Sequence, residues 1–162
     1  MGACYYPEIG FEFELEPMTD EHKAETARIA VALGSIENSA CYCQFADREI
    51  SIPEWVALFN TVAGYQWDIE EMMMSGRRVF YLHRLLNHRY GLTAEEDSLS
   101  DKLLQPAMDG APEGVEINFA AMKEKFYELM GLDLEKGIPS KRVLSDHDMA
   151  EEAARLEASL TL

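Results

Sequence analysis

Two cysteines one residue apart, Cys41 and Cys43, lie in the stretch "ENSACYCQF", 37–45. Thiolates are ligands for soft metals and for iron–sulfur clusters, so this pair holds more chemistry than any other short motif in the chain. A bridge between the two is disfavoured, because so short a loop strains the Cα separation and Cβ direction that a disulfide needs. The whole chain has three cysteines, whereas a 4Fe–4S cluster takes four thiolates. On residues alone two readings stand: a pair of small buried hydrophobes, which is the simpler one, or at least one cysteine that binds something.

The remaining candidates are weaker. His22, His83, His88 and His147 are scattered, and no pair has the H-E-x-x-H spacing of a helix-borne zinc site. His83 falls on the apolar side of its helix and reads as a core histidine with its polar atoms satisfied. Met72, Met73 and Met74 read as core or interface filler, since thioether sulfur adapts to irregular gaps. No glycine loop suited to phosphate is visible, and spacing alone assembles no Ser-His-Asp constellation.

Composition narrows the partners. Lys and Arg total 14 against 30 Asp and Glu, a net charge of −16, which argues against nucleic acid and anionic membrane surfaces. With 162 residues and 48% apolar content the chain is long enough to bury a core. No apolar run approaches a membrane span, and "MGACYYPEIGFEFELE" has neither the basic nor the apolar region of a signal peptide. Tyr6 breaks the myristoylation pattern. Three cysteines do not make a secreted disulfide framework, so the expected compartment is the cytoplasm.

The elements that must position these residues are nearly all helical. "FEFELE" (Phe11 to Glu16) alternates and predicts at most one short N-terminal strand. A helix capped at Thr19 or Asp20 is predicted to carry Ala24, Ala27, Ala30, Val31 and Ile36 inward. Ser51 caps the next, with Pro53 in its first turn and Gly64 beyond its end. The longest helix starts at Asp68, with Glu71 completing a capping box and Trp67 and Met72 as a staple, and runs to Gly91. Ile69, Met72, Met73, Gly76, Val79, Phe80, His83 and Leu86 are its expected inner side. Thr93 and Glu96 form a second box opening a short helix, and 97–117 reads as an ordered loop. Helices then resume with Phe119, Met122, Phe126 and Met130 inward and Gly131 as the stop, followed by one or two more. The predicted class is all-α: an irregular multi-helix domain with a central long helix, one domain over 1–162 with 1–18 irregular and 19–162 helical.

The line as a whole resembles the C-terminal region of the tungsten-containing aldehyde ferredoxin oxidoreductases. That family shows a G-x-x-x-x-x-E-E segment, then G-x-R on the same helix, R-x-x-N-x-R-x-G-x-T, an acidic pair, and later Y-Y-x-x-x-G-W-D and G-I-P-T. The matching residues are Gly64, Glu70 and Glu71; Gly76 and Arg78; Arg84, Asn87, Arg89, Gly91 and Thr93; Glu96 and Asp97. Further on come Phe126, Tyr127, Gly131, Leu132, Asp133, Gly137, Ile138, Pro139 and Ser140. In that family a D-x-x-G-L-C segment helps bind the pterin and its cysteine ligates a 4Fe–4S cluster. Laid over "NSACYC", the resemblance puts Asn38 on the aspartate, Cys41 on the glycine, Tyr42 on the leucine and Cys43 on the cluster cysteine, with Phe45 after it.

The resemblance therefore implies a metal ligand in Cys43 and pterin contacts in Asn38, Ser39 and Tyr42. It implies a parent oxidoreductase with a 4Fe–4S cluster and a tungsten or molybdenum bis-pterin, exchanging electrons with a ferredoxin-type carrier. "MGACYY" is similar to the family's R-G-A-C-H, with Tyr5 where the family has a histidine implicated in proton transfer; tyrosine is the poorer base, its ordinary pKa being about 10. A chain that starts inside this motif looks cut from something longer, with the pterin- and cluster-binding domains upstream as its partners. By itself it is expected to bind no cofactor, to be inactive, and to self-associate through an exposed face. The alternative is a cofactor-free helical interaction module derived from the family, favoured by Asn38, Cys41 and Tyr5.

Overall fold

The computed structural model describes residues 7–13, 15–16, 18–43, 50–106, 108, 110 and 114–160. Tyr5, Cys4 and Phe45 lie outside these. Seven helices follow one another among the described residues: α1 (Lys23–Ser39), α2 (Ile52–Ala63), α3 (Ile69–Arg89), α4 (Asp101–Leu104), α5 (Phe119–Met130), α6 (Lys141–Asp146) and α7 (Ala150–Leu160), preceded by a 3-10 turn at Pro7–Ile9. The fold is all-α, as the periodicity predicts. No helix among the described residues is long and apolar enough to cross a membrane.

The arrangement turns on α1 crossing α3. Met72 and Ala32 are fully buried at this crossing, with Ile36 and Met73 beside them. Gly76 sits on α3 where a Cβ would lie 2.2 Å from the carbonyl oxygen of Ala32, far inside van der Waals contact. Two backbones meet there because neither residue carries bulk. Helix α2 lays Ile52 and Trp55 on the same cluster. A second cluster gathers Tyr81, Tyr127, Met130, Leu144 and Met149 from α3, α5, α6 and the turn leading into α7. Tyr81 donates its hydroxyl to the Met130 carbonyl at 3.0 Å, which satisfies an otherwise buried polar group.

Several local expectations change in three dimensions. "FEFELE" forms no named strand among its described residues; Phe11 is buried, and Phe13 stacks on His22 with ring centroids 3.8 Å apart. Neither Thr19 nor Asp20 caps α1. His22 occupies the cap in a left-handed conformation, and the Asp20 carboxylate instead accepts from the Asn118 N–H at 3.2 Å, tying this segment to the start of α5. Asp68 caps α3 by accepting from Glu71 N–H at 2.8 Å, but the Glu71 carboxylate turns to Arg78. Thr93 and Glu96 form their box, yet what they close is a turn and not a helix. A four-residue helix, α4, interrupts the predicted loop. The inward stripe of α3 drifts, so that His83 and Leu86 are exposed while Tyr81 is buried. Phe119, Met122 and Phe126 are only half-buried, and Tyr127 takes the inner position on α5.

The crossing generates a paired prediction. Gly76→Ala should lower the unfolding free energy by about 2–3 kcal/mol, because a methyl group cannot enter without parting the helices. Gly34→Ala, at a helical glycine with nothing within 4 Å of its added Cβ, should raise it by about 0.5–1 kcal/mol. Chemical denaturation of the two variants checks both signs.

Candidate functional site

The cysteine segment leaves α1 through a Schellman turn. Tyr42 N–H donates to the Glu37 carbonyl at 3.0 Å and Cys41 N–H to the Asn38 carbonyl at 3.2 Å, the 6→1 and 5→2 bonds of that motif. Cys41 occupies the left-handed position with φ 54°. Glycine suits that position because any Cβ there meets the following carbonyl, which is a backbone reason for the family's glycine. Cys41 and Cys43 are both free thiols and both exposed, so the buried-hydrophobe reading fails for each.

Tyr42 starts an aromatic ladder. Its ring meets Trp55 edge-on at 4.8 Å, Trp55 stacks on Phe59 at 5.6 Å, Phe59 meets Trp67 at 5.5 Å and Trp67 stacks on Tyr65 at 4.2 Å. The ladder anchors the segment on α2 and fixes where Cys43 emerges. Asn38 and Ser39 are exposed on the last turn of α1; the Ser39 hydroxyl donates to the Ser35 carbonyl at 2.7 Å and keeps its lone pairs free. The structure thus brings Asn38, Ser39, Tyr42 and Cys43 together at one helix end.

The other positions of the family pattern build two polar nodes. Arg84 donates to the Gly137 carbonyl at 2.6 Å, to Asp97 at 2.9 and 2.6 Å, and to the Tyr127 hydroxyl at 3.1 Å, while Tyr127 donates to Asp97. Burial alone would raise the Asp97 carboxyl, but the Arg84 and Tyr127 hydrogen bonds and the Arg84 and Lys123 charges hold it below the usual range. Burial and the bond to Asp97 push the Tyr127 phenol up to about 12. Gly137 is required at this node: a Cβ there would lie 2.1 Å from an Arg84 nitrogen, and its φ is +67°. In the second node Arg78 joins Glu71 at 2.7 Å, Asp148 at 2.9 Å and the His147 carbonyl at 2.7 Å. Beside it His147 bonds the Val143 carbonyl through Nδ1 at 2.8 Å and accepts from Arg77 Nε at 3.1 Å, which sets the Nδ1–H tautomer. Burial lowers the His147 pKa, and the Arg77 and Arg78 charges lower it further against the Val143 bond.

A cleft of about 740 Å³ opens between the 3-10 turn, α1 and the start of α3. Arg28 and Arg77 line it with Phe11, Ile29 and Met73. Neither arginine stands out in the sequence: Arg28 shares α1 with Lys23, and Arg77 is one of four arginines on α3, where cations read as part of a solvated face.

The sequence matches the model of a known family. The model for "Aldehyde ferredoxin oxidoreductase, domains 2 & 3" matches residues 1–149, and the chain belongs to that family. It is 25% identical over 153 residues to the tungsten-containing aldehyde ferredoxin oxidoreductase of Pyrococcus abyssi, and 25% identical over 152 residues to that of Pyrococcus furiosus; each alignment covers 88% of this chain and 25% of the relative. The namesake of Thermococcus kodakarensis is 24% identical over 152 residues, 87% of this chain and 25% of its own. The chain spans about a quarter of the length of these curated relatives.

Donor count decides how the site suits a cluster. Among the described residues no group of three or more His, Cys, Asp or Glu could hold a metal ion. Two exposed thiols, Cys41 and Cys43, stand at this helix end, fewer than the four thiolates a 4Fe–4S cluster takes.

Two outcomes follow. Cys41→Gly should raise the unfolding free energy by about 0.5–1 kcal/mol by relieving the left-handed Cβ, measured by denaturant titration. Because the His147 pKa is lower folded than unfolded, the unfolded chain binds the extra proton as pH falls below about 6.5. Stability should therefore be level above that pH and decline as the pH falls below it, a decline that His147→Gln reduces. Melting temperatures on either side of that pH measure it, and the Asp97 contribution is lost only at lower pH, below its ordinary carboxylate range.

Proposed function

We propose that this chain is the helical C-terminal part of an aldehyde ferredoxin oxidoreductase-like enzyme, presenting Cys43 as one ligand to a 4Fe–4S cluster and covering a metallopterin. The observation that carries the reading is the exposed Cys43 thiol, held by a capped helix end and an aromatic anchor in a chain of this family. When bound, a tungsten or molybdenum bis-pterin supplies redox chemistry on an aldehyde or oxo-group substrate, and the cluster carries electrons to a ferredoxin-type acceptor. The chain's own contribution is positioning. The Schellman turn aims Cys43 outward, and the Tyr42–Trp55 contact stops that segment from shifting. Asn38 and Ser39 offer exposed amide and hydroxyl groups to a pterin edge. Tyr5 stands at the family's histidine position and would transfer protons less readily. The remaining ligands, and the pterin, are assigned to upstream domains of the parent protein, so the helical body is inactive alone. The exposed residues of the α1 end, Asn38, Ser39 and Cys43 among them, are the face those domains would cover.

Iron analysis tests this. The 162-residue chain, purified anaerobically, should contain far less than stoichiometric iron. In the parent protein Cys43→Ser should cost iron and produce a three-iron signal by electron paramagnetic resonance, whereas Cys41→Ser should leave iron unchanged. Full iron content in Cys43→Ser would sink the reading and leave the cofactor-free interaction module in its place.

A further inference from the structure

We propose that the cleft between the 3-10 turn, α1 and α3 binds a small monocarboxylate with an apolar body, its carboxylate held between the guanidinium groups of Arg28 and Arg77. This rests on the cleft's own geometry and is independent of the assignment of Cys43 to a cluster.

The volume, about 740 Å³, is that of a small-molecule site, and such sites pair apolar walls with a few polar groups that orient the ligand. Phe11, Ile29, Ile69 and Met73 supply the apolar wall. The two arginines come from neighbouring helices, one exposed at 28 on α1 and one half-buried at 77 on α3. Burial lowers the Arg77 pKa and the Arg28 charge lowers it further, against the opposing charges of Tyr81 and Glu70. Neither guanidinium is in an ion pair with a carboxylate among the described residues, whereas the half-buried Arg78 and Arg84 each have one. Arg77 spends only its Nε, on His147. Both arginines line the cleft, and no hydrogen bond is recorded for the terminal nitrogens of Arg77 among the described residues. An anion bridging the two forks would relieve their repulsion with charge-assisted hydrogen bonds.

The rim selects which anion. Glu8, Asp68 and Glu70 are exposed around the mouth, with Glu25 half-buried beside them. Exposed charges are screened by salt but still oppose a second negative charge more than a first. A dianionic phosphate is therefore disfavoured, and the apolar wall rewards an acid that carries hydrocarbon over a bare inorganic anion.

Titration calorimetry with 3-phenylpropanoate on the 162-residue chain tests the site. Saturable one-to-one binding is expected, weakened at least about tenfold in Arg28→Gln, a substitution at an exposed position that should leave the melting temperature unchanged. Phenyl phosphate at pH 8 and 3-phenylpropan-1-ol should each bind at least about tenfold more weakly than the acid. Arg77→Lys keeps the charge but loses the fork, and should also weaken the acid. No saturable binding at millimolar acid, unchanged affinity in a folded Arg28→Gln, or equal affinity for the alcohol would each overturn the proposal.

Discussion

The contact of Gly76 with the Ala32 carbonyl fixes how closely α1 and α3 approach, and the rest of the molecule is arranged around that distance. Interiors are packed to crystal-like density, so a helix pair held backbone to backbone leaves its neighbours little freedom. The crossing buries Met72 and Ala32 completely and offers α2 a surface for Ile52 and Trp55. On one side of it α1 runs on to the cysteine turn; on another, Arg28 and Arg77 are brought to face a common cleft.

Much of the family pattern serves this scaffold. Arg84 shows why an arginine is needed there: one planar fork reaches a carboxylate, a phenol and a backbone carbonyl from three separate segments. Such a partly buried node adds modest net stability when complete, but losing one partner leaves a charge without compensation. The same holds for Arg78, which joins the first turn of α3 to the turn between α6 and α7. These residues hold elements together, and the candidate cofactor contacts occupy a different place at the end of α1.

That end shows how a departure from the pattern is accommodated. Cys41 must adopt the left-handed conformation that a glycine adopts freely, and the helix still closes with both Schellman bonds. Asp148 carries the same burden after α6, with φ 56° and the Arg78 ion pair to compensate. Non-glycine residues in this region cost on the order of 1 kcal/mol, little enough for surrounding contacts to absorb.

Local signals determined much of this protein. Periodicity, the Ser51 and Asp68 caps and the Gly64, Gly91 and Gly131 stops specified the all-α class and most helix ends, because these depend on residues within a turn of one another. Resemblance over the whole line pointed to the family and to Cys43. What depended on distant partners was not legible. Asp20 is a good helix cap by type, but its carboxylate is taken by Asn118, 98 residues away. Glu71 leaves its capping box for Arg78, and His83 lies outside because the inner stripe of α3 drifts as its packing passes from α1 and α2 to α5. The exposure of both cysteines, the Arg77–His147 contact and the Arg28–Arg77 cleft were likewise decided only when the helices packed. A side chain's type limits what it can bond, but the tertiary structure settles which partner comes within reach.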